Sequence, residues 1–227
     1  MPRILTTADI AGFRSRLCDV AAQLFIELGQ EGFNMRELAK RLGVSAMTPY
    51  RYFKDKDAIL SEVRARAFSR FADRLEEVLD GTNGTLAAAY AQFAIQEHAQ
   101  YRLMFDLAQT PPDAPPAVIQ QEQRARFTIV AHMRNLIDRG VLSGDAERLA
   151  LVLWSTLHGV ATLYLTGKLS SQDFRMVLSE SVNLLAGAPN FIAPEMTILS
   201  VDGLEMDQIQ PWWTPPAVYQ PVAAAGE

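Results

Sequence analysis

The chain has 227 residues and a net charge of −5, with 49% hydrophobic and 21% charged side chains. This is the balance of a globular protein and not of a collagenous, disordered or disulfide-scaffold chain. At this length about 70–75% of the unfolded surface can be buried without help from disulfides or a structural metal. The one cysteine, Cys18, excludes an intramolecular disulfide and a multi-cysteine zinc site.

The charge is unevenly spread. Residues 1–74 carry 13 Lys and Arg against 9 Asp and Glu, whereas the remainder carries 8 against 17. A basic first third on an acidic body suggests local contact with a polyanion. Residues 1–10 hold no apolar core, so no signal peptide is expected, and the expected location is cytoplasmic. Residues 149–167 run for 19 positions without a charge, long enough for a membrane span. Ser155, Thr156, His158 and Thr162 interrupt the run and no basic cluster flanks it. It is therefore read as a core or subunit-interface helix, with no membrane partner.

Hydrophobic spacing of three to four dominates, so an all-α chain is expected. Ile10, Phe13, Leu17, Val20, Leu24 and Leu28 form the stripe of a first helix. Thr6 and Asp9 mark its start, and Gly29 with Gly32 its stop. Asn34, with Glu37 three residues on, predicts a capping box. It opens a short helix buried through Met35, Leu38, Ala39 and Leu42, which Gly43 ends. Ser45 is the expected N-cap of a second short helix over residues 46–53. Asp55 caps a long third one, whose apolar face is Ile59, Leu60, Val63, Ala67, Phe71, Leu75 and Leu79. Beyond a loop at Gly81, Asn83 and Gly84, helices are expected over 86–99 and 101–108. A rigid proline-rich break at 110–116 follows, then helices over 117–139, 145–166 and 170–185. After Gly187 the pattern collapses into a Pro- and Trp-containing extended tail that includes Trp212 and Trp213.

Two short helices joined by Gly43, Val44 and Ser45 have the spacing of a helix-turn-helix. Glycine permits the turn, valine plugs the pair, and serine caps the second helix. Such a unit presents the start of its second helix to a major groove. Arg36, Lys40, Arg41, Arg51, Lys54 and Lys56 surround it, against Glu37 and Asp55 alone. The same spacing also suits a solvated helical hairpin, and spacing by itself leaves both readings open. Lys56 opposes the macrodipole of the helix it begins. It is either simply solvated or holds a phosphate together with the helix amides.

The segment NMRELAKRLGVSAMTPYRYFKDKDAIL, residues 34–60, closely resembles the signature of the TetR family of bacterial transcription regulators. RLCDVAAQLFIELGQEGF before it resembles that family's first helix. LVLWSTLHGVATLYLTGKL, residues 151–169, and EHAQYRLMF, residues 97–105, are similar to a regulatory-domain subfamily with a Trp-x-x-x-His-Gly segment. The resemblance implies an N-terminal three-helix helix-turn-helix domain over residues 11–71. A helical-bundle domain for ligand binding and dimerisation would span 72–187, with a tail over 188–227. It also implies a homodimeric repressor that a small-molecule effector releases from a palindromic operator in double-stranded DNA. A transcriptional activator or a ligand-independent DNA-binding protein is the alternative.

Position by position, Arg36 matches a frequent base or phosphate contact, and Ser45, Ala46, Met47 and Thr48 match the start of the recognition helix. Met47 suits a thymine methyl. Tyr50 matches a phosphate-binding tyrosine, Arg51 belongs to the same basic set, and Tyr52 stands where the family often has histidine. Lys56 matches a lysine at the start of the next helix. Pro49 departs from the usual leucine or isoleucine. Either Thr48 caps a helix that starts at Pro49, or the turn from Ala46 lacks a hydrogen bond. With no Gln or Asn before Tyr50, bidentate adenine readout is not expected, and phosphate and shape terms should dominate.

His98, His132 and His158 are the only histidines, and without a His-x-x-x-His or Glu-x-x-His pair no metal site or cofactor is expected. His158 is either a satisfied core histidine or the polar anchor of an apolar pocket lined by Met104, Phe105, Met133, Trp154 and Tyr164. Those five are equally readable as core. No nucleophile–base spacing, phosphate loop or paired-carboxylate motif supports an enzyme or ligand carrier. The apolar final two helices suit a two-fold subunit interface.

Overall fold

The computed structural model describes residues 6–79, 85–105 and 116–185, with side chains as far as residue 181. The expected loop at 81–84, the helix end at 106–108, the proline break at 110–115 and the tail over 188–227 lie outside the described residues. Every described element is helical: α1 (Thr7–Gly32), α2 (Met35–Arg41), a 3-10 turn (Pro49–Arg51), α3 (Lys56–Leu79), α4 (Leu86–Gln96), α5 (His98–Phe105), α6 (Pro116–Asp138), α7 (Ala146–Leu165) and α8 (Ser171–Leu185).

Local chemistry sets most of the helix starts. The Thr6 hydroxyl accepts from the Asp9 amide while the Asp9 carboxylate accepts from the Thr6 amide, a complete capping box. Asn34 accepts from the Glu37 amide at 2.9 Å. The Glu37 carboxylate turns instead to Lys40, so the predicted box is only half formed. Asp55, Thr85, Asp145 and Ser170 each accept an amide three residues on, an arrangement worth about 1 kcal/mol apiece. Gly29 sits at φ 68° and kinks α1 three residues before its end, a backbone region that glycine enters without a Cβ clash.

Four further expectations are corrected. The second short helix does not form over 46–53, where a 3-10 turn stands at Pro49–Arg51. The Pro49 nitrogen has no hydrogen to donate, and the bonds that close are Thr48 N–H to Ser45 O, Arg51 N–H to Thr48 O and Tyr52 N–H to Pro49 O. Ser45 caps nothing, because its hydroxyl pairs with that of Thr48 at 3.1 Å. Of the two outcomes that Pro49 left open, the element starts at proline, with Thr48 before it making no side-chain cap bond. Ile10 and Leu28 of the α1 stripe are 44% and 46% exposed, and both lie within four residues of an end of α1. The buried face is Leu17, Cys18, Ala21, Leu24 and Phe25. The break between α4 and α5 falls at Glu97 (φ −112°, ψ 38°) and not at residue 100.

α3 is the axis of the molecule. It packs on α1 at one end and on α4, α5 and α6 along the rest. Phe68, Phe71 and Leu75 of α3 belong to the same buried cluster as Leu17 and Phe25 of α1 and Tyr90 and Phe93 of α4. Headpiece and body therefore share one core. α7 is long and apolar enough to cross a membrane by length and composition. It packs on α4, α6 and α8 and buries Ala150, Leu153, Leu157, Val160, Ala161 and Leu165.

Candidate nucleic-acid interface and the core beneath it

Met35, Leu38 and Ala39 are buried and seat α2 against α1. Gly43 takes φ 67°, and this lets the Val44 amide return to the Ala39 carbonyl at 3.0 Å. Val44 is half-buried, as a plug would be. The turn then pushes Ser45, Ala46 and Met47 outward, with Thr48 half-buried and Pro49 buried. Met47 is 68% exposed. Tyr50, Arg51 and, on α2, Arg36 are exposed on the headpiece, and Lys56 is half-buried at the start of α3. Tyr52 is different: its ring packs on Phe13 at 4.9 Å between centroids, and Phe53 beside it is buried.

The six cations around the turn divide by partner. Arg41 forks onto Glu27 at 2.8 and 3.2 Å, ties α2 to α1, and holds the Glu27 carboxyl below its usual range. Lys40 meets Glu37 at 3.5 Å. Arg36, Arg51, Lys54 and Lys56 make no ion pair among the described residues. At the start of α3 the Asp55 carboxylate accepts the Ala58 amide at 2.8 Å.

One part of this surface was not legible in the sequence. Arg14 of α1 donates to the Tyr52 carbonyl at 2.8 Å, forks onto Glu62 of α3, and lies 4.1 Å over the Phe53 ring. Arg66 reaches the same carboxylate at 3.0 Å and the Ser15 hydroxyl at 3.1 Å. Burial pushes the Glu62 pKa up, but the hydrogen bonds and charges of Arg14 and Arg66 outweigh it and hold the carboxyl below its usual range. The clamp fixes the end of the recognition turn to both flanking helices. Its members lie 38 and 48 residues apart, beyond any local spacing rule.

In the body, the Tyr101 hydroxyl is 2.6 Å from Nδ1 of His158 and 3.2 Å from the Tyr90 hydroxyl, and Tyr90 also hydrogen-bonds Trp154. Burial pushes the Tyr90 phenol up. Phe105 packs 4.3 Å from the His158 ring. The structure therefore gathers Phe105, Trp154 and His158 around two tyrosines. Met104 and Met133 are fully buried core residues, and Tyr164 stacks on Phe174 of α8. His158 is half-buried and hydrogen-bonded to Tyr101. A separate cavity of about 310 Å³ opens between α1, α3 and α5, walled by Cys18, Asp19, Arg66, Arg70 and Gln100. None of the six expected pocket residues lines it. Burial pushes the Cys18 thiol up to about 12.

Two family models match the chain: "Bacterial regulatory proteins, tetR family" over residues 17–63 and "Tetracyclin repressor-like, C-terminal domain" over residues 84–185. The chain belongs to the TetR family of transcriptional regulators. Its relatives include an HTH-type transcriptional regulator of Staphylococcus aureus (strain bovine RF122 / ET3-1), 36% identical over 67 residues, which is 30% of this chain and 36% of the relative. The match thus spans about a third of the length of such curated relatives. A protein of unknown function from Rhodococcus sp. RHA1 superposes with a TM-score of 0.67 at 27% identity, covering 77% of this chain and 93% of that one. The TetR family transcriptional regulator PfmR from Thermus thermophilus shares the fold, with a TM-score of 0.60, 20% identity and coverage of 77% and 99%. The chain thus has the TetR fold, an N-terminal helix-turn-helix followed by a helical domain.

Proposed function

We propose that the protein is a cytoplasmic, homodimeric, sequence-specific DNA-binding regulator, a repressor released from a palindromic operator by a small-molecule effector. The observation that carries this reading is the group of four cations at the recognition turn with no carboxylate partner among the described residues. Arg36, Arg51, Lys54 and Lys56 surround a turn whose tip, Ser45 to Met47, projects outward. Cations left without protein partners are the groups that neutralise phosphates and make affinity fall steeply with salt. Tyr50 adds an exposed hydroxyl. The half-buried Tyr52 contributes to this surface chiefly by fixing it to α1.

A second copy supplies the symmetry. Leu151, Val152 and Leu163 of α7 and Met176 of α8 are 62%, 47%, 47% and 55% exposed. Apolar exposure gathered on adjacent helices suits an isologous interface. Two headpieces then meet two half-sites about 34 Å apart. The hydrogen-bonded Tyr90–Tyr101–His158 chain is the polar feature of the body that an effector would disturb.

The test is selection of bound duplexes from a random pool by the intact chain at moderate salt, with Arg36→Ala and Tyr50→Ala as controls. A palindrome enriched by the parent and lost in both variants is the expected result. A folded dimer that enriches nothing refutes the reading.

A further inference from the structure

The tip of the recognition turn carries little hydrogen-bonding capacity toward a base edge. The Ser45 and Thr48 hydroxyls share a single bond at 3.1 Å, which takes the proton of one of them. Ala46 has no polar side-chain atom. Pro49 is buried and shortens the element to three residues, so what enters a groove is the tip and not the length of a helix. Met47 dominates that tip: at 68% it is the most exposed of the large hydrophobic side chains among the described residues. Met47 stands on a headpiece whose other exposed side chains include Arg36, Tyr50 and Arg51.

A flexible, polarizable thioether has one apolar partner on a major-groove edge, the C5-methyl group of thymine. Resting on the DNA-binding reading above, we infer that Met47, with Ala46 beside it, reads thymine through that methyl group. Sequence discrimination at the tip is then a methyl-recognition event and not a donor–acceptor one. The same contact accepts the C5-methyl of 5-methylcytosine, because that group occupies the same place in the groove.

The experiment uses the full-length dimer and the operator recovered by selection. Each thymine of a half-site is replaced in turn by deoxyuracil, which removes the methyl and nothing else. In a second series the critical T·A pair becomes C·G or 5-methylcytosine·G. One thymine per half-site should show about a fourfold loss with uracil, the value of one buried methyl group, and about fifteenfold when both half-sites change. At that position 5-methylcytosine should bind about fourfold tighter than cytosine. Met47→Ala, at an exposed site that does not endanger folding, should bind thymine and uracil duplexes alike, and Met47→Leu should restore the difference. Equal binding of thymine and uracil operators by the parent overturns this inference alone, as does a Met47→Ala variant that keeps the difference. Failure to select any operator overturns it together with the reading it rests on.

Discussion

Replacing Arg14 by alanine tests whether the recognition turn is held from outside. The side chain makes three contacts: a charge-assisted bond to the Tyr52 carbonyl at 2.8 Å, an ion pair with Glu62, and a guanidinium over Phe53 at 4.1 Å. The first is worth about 1–1.5 kcal/mol, and the stacked cation about 0.5–1 kcal/mol. The ion pair is discounted to at most about 0.5 kcal/mol because Arg14 is 41% exposed and solvent screens it. Glu62 is not orphaned, since Arg66 keeps it at 3.0 Å. The total is about 1.5–3 kcal/mol, which for a chain of this size lowers Tm by roughly 3–12 °C. All three contacts end on the turn or on its supports, so the headpiece loosens first, and operator affinity should fall further than dimer affinity. Arg14→Lys keeps the charge but neither the fork nor the stacking plane, and should recover less than half of the loss. The assays are thermal denaturation and operator titration on the same preparations. A Tm within about 1 °C of the parent, with unchanged operator affinity, refutes the clamp.

Tyr101→Phe removes the hydroxyl that joins Tyr90 to His158 and should cost about 1–3 kcal/mol in denaturant unfolding; a change below about 0.5 kcal/mol would mean water replaces it freely. His98 and His132 are held below the ordinary 6.5 mainly by burial, helped by Arg102 and Arg139. The folded state therefore resists protonating them, and stability should be complete above pH 6.5 and decline as pH falls below it. Glu62 adds a second loss at more acid pH, and melts across this range check both, with His132→Gln reducing the first slope. Leu151→Glu with Met176→Glu should convert a dimer to monomer in sedimentation equilibrium while far-UV helicity stays unchanged; an unaltered mass places the dimer contact elsewhere. Arg124→Ala cuts the link from α6 to Asp73 and Glu76. It should lower Tm by only a few degrees yet blunt the response of operator affinity to effector.

What the sequence disclosed is what local chemistry decides. Thr6, Asn34, Asp55, Asp145 and Ser170 begin helices because their side chains satisfy amides three residues away, and that spacing is written in the chain. Gly43 was legible for the same reason. The helix expected over residues 46–53 rested on Ser45 as its N-cap, and the alternative start at Pro49 was the one realised, because a proline that cannot donate disrupts the bonds a short helix needs. Glu37 completed a box on paper, but Lys40 offered its carboxylate a charged partner. The Arg14 clamp and the Tyr101–His158 bond depend on helices meeting across 48 and 57 residues. No periodicity encodes which arginine will face which carboxylate once α1 crosses α3.

The ion pairs along α3 are individually weak, and their placement matters more than their energy. Lys56 begins the helix beneath the recognition turn, Glu62 and Arg66 join it to α1, and Arg64, Asp73 and Glu76 join it to Glu122 and Arg124 of α6. Its 24 residues span about 36 Å. A tilt of about 5° at the body end carries the Lys56 end roughly 3 Å, as far as a whole hydrogen bond is long. In a two-fold dimer the displacement is doubled, to about 6 Å against a half-site spacing of about 34 Å. If an effector releases the protein as proposed, nothing need unfold for such a grip to be lost. The effector needs only to bind the tilted state more tightly than the straight one, by the free energy that separates them. On the proposed reading, the shared core of headpiece and body, to which α3 contributes Phe68, Phe71 and Leu75, is what would pass a small rotation in α6 along α3 to the headpiece.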